Sequence, residues 1–231
     1  MQAEKTKVMG PERAAKDELH EQFARIGRAL ANPHRVEVLD LLAQGERSVE
    51  VLAARAAISV GLASAHLQAL RRAGLVVSRR DGTRILYRLA GDDVYGLLAA
   101  VRAVATGRLA DAERAARAYM GEPVETATRI ELLERVRSGD AVVVDLRPGE
   151  EYEAGHIAGA ISIPLAELEA HLAELPADLE IVAYCRGPYC ALAPRGVALL
   201  RRSGRRARRL EDGFPEWRLA GLPVAAGARP A

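Results

Sequence analysis

The sequence predicts two domains of different classes, a mainly helical first half that contains a β-hairpin and an α/β second half with a parallel sheet. Apolar residues recur at helical spacing from Asp17 to about Arg117, and the one interruption alternates around Asp81-Gly82, which is typical of a hairpin. Beyond the linker pattern Gly121-Glu122-Pro123, short apolar runs alternate with helical segments, and this alternation predicts a parallel sheet. The 231 residues suffice for two domains of ordinary size.

The composition is that of an ordinary globular protein, with 49% hydrophobic and 28% charged residues. No apolar run reaches the roughly 18 residues of a membrane span, and the N-terminus carries both charge signs without an apolar stretch. We therefore expect a cytoplasmic protein without a membrane partner. The net charge of +2 conceals a division, because residues 1–118 carry 19 basic and 14 acidic residues whereas residues 119–231 carry 14 and 17.

The first half has the element order of a winged helix-turn-helix domain. Residues 1–16 are polar and aperiodic and are predicted to be a disordered tail. The predicted helices are Glu18–Leu30, His34–Ala43, a short helix from Ser48 to Arg55, and Val60–Ala73, and the predicted strands are Leu75–Arg80 and Arg84–Leu89. Ser48 and Ser59 stand where helix N-caps are expected, and Gly74 stands at a helix C-terminus.

The segment Val60–Ala73 separates into two faces at helical spacing. Ala63, Leu67 and Leu70 share one face and are predicted to be buried. The opposite face is small, hydrogen-bonding and cationic, as suits a major groove. Its predicted DNA contacts are Ser64, Ala65, Gln68, Arg71 and Arg72, and the hairpin adds Arg79, Arg80 and Arg84 beside the phosphates. The alternative, a solvated face on a helical dimerisation domain, leaves the basic hairpin unexplained.

Three segments of the first half form one ordered pattern. They are Ala29-Leu30-Ala31-Asn32-Pro33-His34-Arg35 after Phe23, Val38-Leu39-Asp40-Leu41-Leu42, and Ser64-Ala65-His66-Leu67-Gln68-Ala69-Leu70-Arg71-Arg72-Ala73-Gly74-Leu75-Val76. This pattern resembles the ArsR/SmtB repressors over about residues 19–118. The resemblance implies a homodimeric repressor that an inducer, often a metal ion, releases from its operator. Because the segment Glu46–Leu52 lacks cysteine and the helix after Asp92 lacks cysteine and histidine, no metal site is expected in this half.

A single long helix is predicted from Asp92 or Asp93 to about Tyr119, with a length of about 40 Å. A small domain cannot cover such a length, so its apolar stripe is expected to pack against a second copy of the chain. The predicted dimer contacts are Leu97, Leu98, Val101 and Val104. A symmetric dimer in turn predicts an operator that is an inverted repeat.

The chain has two cysteines, Cys185 and Cys190, five residues apart in one loop after the predicted strand Ile181–Tyr184. A close pair in a cytosolic protein indicates redox, sulfur or metal chemistry rather than a structural disulfide. The loop follows the carboxyl end of a parallel strand and precedes a helix, a place that favours a thiolate or a bound anion. We therefore predict that Cys185 has a lowered pKa. The other candidate site residues are Arg186, which is expected to add positive charge, Gly187, Pro188 and Tyr189. The alternative is a buried, inert cysteine beside a turn.

The rest of the second half supplies further ordered elements. The predicted strands are Ala141–Leu146, Ala160–Ile163, Ile181–Tyr184 and Ala207–Leu210, and the predicted helices lie around Ile130–Arg137, Glu150–Glu153, Leu168–Leu175 and Leu192–Ser203. The motifs around them are Asp145-Leu146-Arg147, Glu151-Tyr152, Gly155-His156-Ile157-Ala158-Gly159-Ala160-Ile161 with Pro164, Tyr184-Cys185, and Glu211-Asp212-Gly213-Phe214 with Trp217 and Ala220-Gly221-Leu222-Pro223. Together they resemble the rhodanese family over about residues 126–226.

The resemblance implies that Cys185 is the nucleophile that accepts sulfur and that Asp145, Arg147 and His156 are framework residues. Sulfurtransferases of this family often carry Cys-x-x-Gly-x-Arg, whereas here the glycine comes one position earlier and Cys190 stands at the position of the arginine. A second cysteine at this place is typical of a resolving thiol. The related phosphatases and arsenate reductases need an arginine at position 191, which is alanine here.

The predicted organisation is a winged helix-turn-helix domain over residues 17–118, a linker over 119–127, a rhodanese-like α/β domain over 128–226 and a tail over 227–231. The predicted function is that of a dimeric transcriptional repressor, without a cofactor, that senses reactive sulfur or an oxidant through Cys185 and Cys190. Its expected partners are double-stranded operator DNA, a second copy of the chain and a small sulfur-containing or oxidising inducer. Two alternatives stay open: a sulfurtransferase that passes sulfur from a Cys185 persulfide to a thiol, and a rhodanese-like domain that serves only protein interaction.

Overall fold

The computed structural model of the protein describes residues 10–227. Contacts divide them into a first unit of residues 10–39 and 47–90 and a second unit of residues 40–46 and 91–227. The sequence assigns residues 91–118 to the first domain, whereas their contacts assign them to the second unit. One reason is an ion pair inside this unit, in which Arg102 lies 2.8 Å from Asp40.

The first unit contains the predicted helices and the predicted hairpin. Its elements are α1 (Pro11–Leu30), α2 (Pro33–Ala43, which continues into the second unit), β1 (Arg47–Ser48), α3 (Val49–Arg55), α4 (Val60–Arg72), β2 (Val76–Asp81) and β3 (Arg84–Leu89). The predicted caps are confirmed, because the Ser48 and Ser59 hydroxyls accept hydrogen bonds from the amides of Val51 and Leu62. Within residues 10–227 no single helix is long and apolar enough to cross a membrane; α3 and α4, bent by 110° at their break, meet the length and composition only together.

The hairpin forms an antiparallel sheet in the order β1-β3-β2. Asp81 pairs with Arg84, so the connection is the two-residue turn Gly82-Thr83. Gly82 has a φ of +58°, a conformation that glycine adopts without strain. The sequence therefore locates the wing correctly and misplaces the centre of its turn by one residue.

The first helix begins earlier than the sequence predicts. Residues 11–16 form its first turns instead of a disordered tail, while residues 1–9 of that predicted tail lie outside the described part of the chain. Pro11 suits the first helical position, and Arg13 pairs with Asp17 one turn later at 2.9 Å. These polar contacts favour a helix but produce no apolar periodicity. The prediction is based on apolar periodicity and therefore misses these turns.

The predicted long helix is in fact two helices, α5 (Asp92–Arg108) and α6 (Ala110–Met120). Leu109 between them is extended, with φ −113° and ψ 107°. Gly107 is a poor helix former, and acidic residues in the first turn of α6 favour a new helix N-terminus. The prediction of one continuous helix of about 40 Å is therefore wrong.

The second unit is built on a five-stranded parallel sheet in the order β4-β9-β8-β5-β7. After α6 its elements are β4 (Thr126–Ala127), α7 (Arg129–Ser138), β5 (Ala141–Asp145), α8 (Gly149–Ala154), β6 (His156–Ile157), β7 (Ile161–Ser162), β8 (Glu180–Tyr184), α9 (Leu192–Arg202), β9 (Ala207–Leu210), α10 (Phe214–Leu219) and β10 (Val224–Ala225). The four predicted strands are confirmed, and β6 pairs with β10 in a separate two-stranded sheet.

One predicted helix of the second unit is wrong. The segment Leu168–Leu175 consists of turns and a single 3₁₀ turn at Leu172–Glu174. Pro164 and Pro176 bound this stretch, and backbone bonds that span three residues satisfy its polar groups. Its buried side chains, Leu168 and Leu175, fit such turns as well as they fit a helix.

Candidate functional site

The outer face of α4 and the wing are exposed as a DNA-contacting surface requires. Ala63, Leu67 and Leu70 are fully buried, which confirms the predicted core face. Of the predicted DNA contacts, Ser64 is half-buried, and the exposed ones are Ala65, Gln68, Arg71, Arg72, Arg79, Arg80 and Arg84. Near the wing tip, Arg80 donates to the carbonyl of Gly82 at 3.0 Å, and Arg79 lies 3.4 Å from Asp81. Contact of these residues with DNA stays a prediction.

The predicted dimer contacts differ in their exposure. Leu98 is fully buried within the protomer and Leu97 is half-buried, so Leu98 belongs to the core and not to a free surface. Val101 and Val104 are 39% and 64% exposed. They line an apolar groove of about 480 Å³ whose remaining walls are Ala100, Ala105, Arg108 and Leu109. The exposed apolar surface of α5 is therefore shifted toward its C-terminal half.

The two cysteines lie at the carboxyl end of the central strand β8. Cys185 directly follows this strand, and Cys190 precedes α9, which begins at Leu192. Pro194 is the third residue of α9 and so falls in its first turn, where proline is tolerated. Both thiols are free and buried. Cys185 Sγ lies 3.5 Å from the carbonyl oxygen of Cys190 and 3.9 Å from that of Gly187.

The two thiols have opposite acidities. Burial, and then the hydrogen bond to Cys190, raise the pKa of Cys185 well above its usual value. The same hydrogen bond, together with the backbone amides of Leu192 and Arg186, lowers the pKa of Cys190 to about 7. The prediction of a lowered pKa for Cys185 is therefore wrong, because Cys185 is the deeper of the two and supplies the proton. Around neutral pH the negative charge of the pair therefore lies on Cys190, which is about half ionised at pH 7.

This assignment predicts a pH profile that depends on the donor at position 185. We expect iodoacetamide to alkylate Cys190 with a midpoint near pH 7 in the parent protein. In Cys185→Ala the donor is lost, and the midpoint moves up toward about 8.5, the ordinary cysteine value. Cys185→Ser is the matched control, since its hydroxyl can still donate and its midpoint should stay close to the parental one. Equal midpoints in the Ala and Ser variants would show that the hydrogen bond does not set the acidity.

Arg186 does not supply a free positive charge, in contrast to the sequence prediction. Its Nε and Nη2 donate to the carboxylate of Glu151, with Nη2 2.7 Å from Oε1. Glu151 is fully buried. Although burial alone would lower the pKa of Arg186, this hydrogen-bonded carboxylate raises it. Arg186 therefore fixes the loop to α8, and its charge is largely compensated.

Each remaining residue of the loop is held by a different neighbour. A Cβ at Gly213 would lie 2.2 Å from the amide nitrogen of Gly187, so only glycine permits this approach. The carbonyl of Pro188 accepts a hydrogen bond from Arg209 at 3.0 Å. The hydroxyl of Tyr189 lies 2.9 Å from that of Thr106 in α5. The loop is therefore braced from several elements of the second unit.

A buried ion pair lies beside the loop. Arg147 and Asp145 are both fully buried and are joined by three side-chain hydrogen bonds, one of 2.6 Å between Nη2 and Oδ2. Arg147 also donates to the carbonyl of Gly155 at 2.7 Å, and its guanidinium lies 4.6 Å from the ring centre of Phe214. The hydroxyl of Tyr184 donates to Asp145. These contacts match the framework role that the rhodanese resemblance implies for Asp145 and Arg147.

Sequence reasoning missed four residues that surround the loop. They are Gln44, Tyr95, Thr106 and Glu216. Tyr95 of α5 donates its hydroxyl to Glu216, and burial raises the pKa of this carboxyl. Glu216 in turn accepts from the amide of Gly213 at 3.0 Å. No local pattern marks these residues, because each acts across a large separation in sequence.

Comparisons with known proteins identify one family in each half of the sequence. The rhodanese-like domain family matches residues 128–220, and the family described as "bacterial regulatory protein, arsR family" matches residues 32–78. The HTH-type transcriptional regulator Rv0324 of Mycobacterium tuberculosis is 55% identical over 210 residues, which are 91% of this chain and 93% of that protein. The chain belongs to the ArsR family of transcriptional regulators. This ArsR regulator is a DNA-binding protein with a winged helix-turn-helix domain followed by a rhodanese domain.

Two solved structures are similar to part of this chain. The homodimeric winged helix-turn-helix DNA-binding domain of Mb0332 from Mycobacterium bovis is 48% identical and covers 46% of this chain and 95% of that chain, with a TM-score of 0.40. A rhodanese-related protein from Thermoplasma volcanium is 26% identical and covers 44% of this chain and 97% of that chain, also with a TM-score of 0.40.

Proposed function

We propose that this ArsR regulator is a homodimeric repressor that leaves its operator when reactive sulfur or an oxidant modifies Cys185 and Cys190. The observation that carries the proposal is the pair of free, hydrogen-bonded thiols, one with a pKa of about 7, in the rhodanese domain of a DNA-binding regulator. A thiol of this acidity is about half ionised at neutral pH, and the thiolate is the nucleophile in sulfur and redox chemistry. The protein acts where its operator is, in the bacterial cytoplasm.

DNA binding is assigned to α4 and the wing. Gln68 and Ser64 stand one turn apart on the face of α4 opposite its buried residues, where they reach base edges when the helix enters a major groove. Arg71 and Arg72 extend this face. The wing follows α4 in the sequence, and its arginines are exposed. Phosphate contacts of this kind supply affinity, while Gln68 supplies preference for particular bases. We expect the operator to be an inverted repeat that mirrors the dimer.

The sulfur chemistry begins on Cys190 in this proposal, the reverse of the order that the rhodanese resemblance implies. The Cys190 thiolate attacks the terminal sulfane sulfur of a polysulfide, and the shortened polysulfide leaves with the electron pair of the broken S–S bond. Cys185 then attacks the sulfur atom bonded to Cβ of Cys190, and hydrosulfide leaves and takes up the Cys185 proton. The two thiols are oxidised by two electrons to a disulfide, and the sulfane sulfur is reduced to hydrogen sulfide.

A sulfurtransferase is the second candidate, and the match of residues 128–220 to the rhodanese family favours it. Such an enzyme would release its persulfide to an external thiol in every cycle. The second cysteine disfavours this outcome, because a thiol in the same loop displaces hydrosulfide from the persulfide before an external thiol reacts with it. Turnover of thiosulfate with cyanide separates the two functions: repeated turnover supports the enzyme, and the release of a single sulfur per protomer with formation of the disulfide supports the sensor.

The sensor is tested by operator binding with and without inorganic polysulfide. The operator is a fragment that the parent protein selects from random DNA. We expect polysulfide to release the parent, and dithiothreitol to restore binding, because the disulfide is reversible. Cys185→Ser should gain one sulfur atom by intact mass and yet stay bound, since no bridge can form. Cys190→Ser should gain little sulfur at pH 7 and stay bound. Normal release of both variants would assign sensing to a different site.

A further inference from the structure

Gln44 joins the buried ion pair to the thiol loop. It directly follows α2, is only 1% exposed and belongs to the second unit. Its Oε1 accepts a hydrogen bond from Nη1 of Arg147 at 3.2 Å, and its Nε2 donates to the carbonyl oxygen of Arg186 at 3.2 Å. Both ends of one buried amide are therefore used, and one end lies on the loop between the two cysteines.

The second contact fixes the peptide group that lies directly before the Cys185 contact. The carbonyl oxygen of Arg186, which accepts from Gln44, belongs to the peptide between Arg186 and Gly187. The thiol of Cys185 lies 3.9 Å from the carbonyl oxygen of Gly187, in the next peptide of the loop. The contact of Gln44 and the contact of Cys185 are therefore on consecutive, rigid peptide groups.

The first contact holds Gln44 against a partner that does not move easily. Arg147 is fully buried and donates to Asp145 and to the carbonyl of Gly155 as well as to Gln44. When the Arg186–Gly187 peptide rotates, the Gln44 side chain therefore cannot change its own conformation to stay in contact with it. The rotation either moves the backbone of Gln44 or breaks the 3.2 Å hydrogen bond between Gln44 and the carbonyl of Arg186.

The backbone at Gln44 is continuous with α2 and closely packed. The amide of Gln44 donates to the carbonyl of Leu41 at 3.3 Å, which makes it part of the last turn of that helix. The next residue, Gly45, has a φ of +143°, and a Cβ there would lie 2.9 Å from Cβ of Ala154 in α8. The last turn of α2 is therefore confined, and residues 33–39 of the same helix belong to the first unit.

We propose that Gln44 is a positioning residue of the thiol site and that it transmits the chemical state of Cys185 to the C-terminal turn of α2. This inference rests on the proposed function, because it assigns the route by which the thiol pair reaches the helix-turn-helix domain. Bridging the cysteines removes the thiol proton that Cys185 directs at the carbonyl oxygen of Gly187. The Arg186–Gly187 peptide then turns, its carbonyl withdraws from Gln44, and the last turn of α2 loosens.

The test is hydrogen exchange of the full-length parent before and after treatment with inorganic polysulfide. We expect amides in the peptide that covers residues 40–46 to exchange several-fold faster after treatment, together with those of residues 186–190. Intact mass verifies in the same sample that the thiols have reacted. Failure of the thiols to react would contradict the proposed function itself. Reacted thiols with faster exchange at residues 186–190 but unchanged exchange at residues 40–46 would overturn the role of Gln44 alone.

Gln44→Glu sharpens the test. A glutamate retains an acceptor for Arg147 but cannot donate to the carbonyl of Arg186 when ionised, so the contact to the loop is lost while the added charge faces the guanidinium of Arg147. We expect the variant to react with polysulfide, and its residues 40–46 to show no further change in exchange on reaction. The matched control is Arg209→Met, which removes the bond to Pro188 and loosens the same loop without touching Gln44. If the control loses the response and Gln44→Glu keeps it, the route does not run through Gln44.

Discussion

Replacing Arg79, Arg80 and Arg84 together with glutamine is expected to weaken binding to every DNA sequence, and not only to the operator. Each arginine that contacts a phosphate releases about one counterion, so the slope of log affinity against log salt should become shallower by about 2.7. Extrapolated from 1 M to 0.15 M salt, this corresponds to a loss on the order of 100-fold in affinity. Fluorescence anisotropy with operator and random duplexes, each at several salt concentrations, measures both quantities.

The matched control removes the same charge from the second unit. Arg114, Arg117 and Arg202 are exposed on α6 and α9, and their replacement by glutamine lowers the net charge equally. This variant should keep the parental salt slope. Gln68→Ala provides the contrast on α4, since loss of a base contact lowers operator binding by about 1–3 kcal/mol and leaves random DNA unaffected. A parental salt slope in the triple wing variant would remove the wing from the DNA interface.

The winged helix and the order of the sheet could be predicted because both depend on local signals. Ser59 and Gly74 bound α4, and the spacing of Ala63, Leu67 and Leu70 identifies its buried face without knowledge of any partner. Apolar runs between helical segments identify the central strands in the same way. In the first turns of α1 a polar contact between Arg13 and Asp17 takes the place of an apolar pattern. Apolar periodicity therefore does not identify these turns, and the predicted helix begins too late.

The acidity of the thiols could not be predicted, because it depends on how deeply each sulfur atom is buried and on which groups hydrogen-bond to it. The sequence places Cys185 and Cys190 on one loop before one helix, and it correctly indicates that a thiolate is favoured there. Only the structure shows that Cys185 is the more deeply buried thiol and that its hydrogen bond lowers the pKa of Cys190. The charge expected from Arg186 is likewise cancelled by Glu151, which lies 35 residues away in the chain.

The contacts of α5 and of Gln44 are the least predictable features. Tyr95 reaches Glu216 across 121 residues, and Gln44 reaches Arg186 across 142. A single glutamine after a helix is not a recognisable sequence pattern. Its role depends entirely on its hydrogen bonds to the carbonyl of Arg186 and the guanidinium of Arg147. The sequence predicts only a linker over residues 119–127 between the two domains, whereas these hydrogen bonds give the thiol loop direct partners at the end of α2 and in α5.

Val104→Asp is expected to convert the regulator from a dimer to a monomer and to abolish operator binding. Val104 is 64% exposed in the protomer and lies in the apolar groove of α5. The substitution should therefore change the free energy of unfolding of a single protomer by no more than about 0.5 kcal/mol. In a symmetric dimer the same change places two carboxylates in an apolar seam without partners, at a cost of several kcal/mol. Sedimentation velocity, read beside anisotropy on the operator, measures the two losses.

Ile130→Asp is the matched control for this prediction. Ile130 is 70% exposed on α7, another β-branched side chain that is replaced by the same charge, and this variant should stay dimeric and bind DNA like the parent. Both halves of an inverted repeat must be held at once for tight binding, so a monomer of Val104→Asp keeps at most the weak affinity of one half-site. If Val104→Asp sediments as a dimer while its protomer is folded, the groove of α5 faces solvent and the dimer forms through another surface.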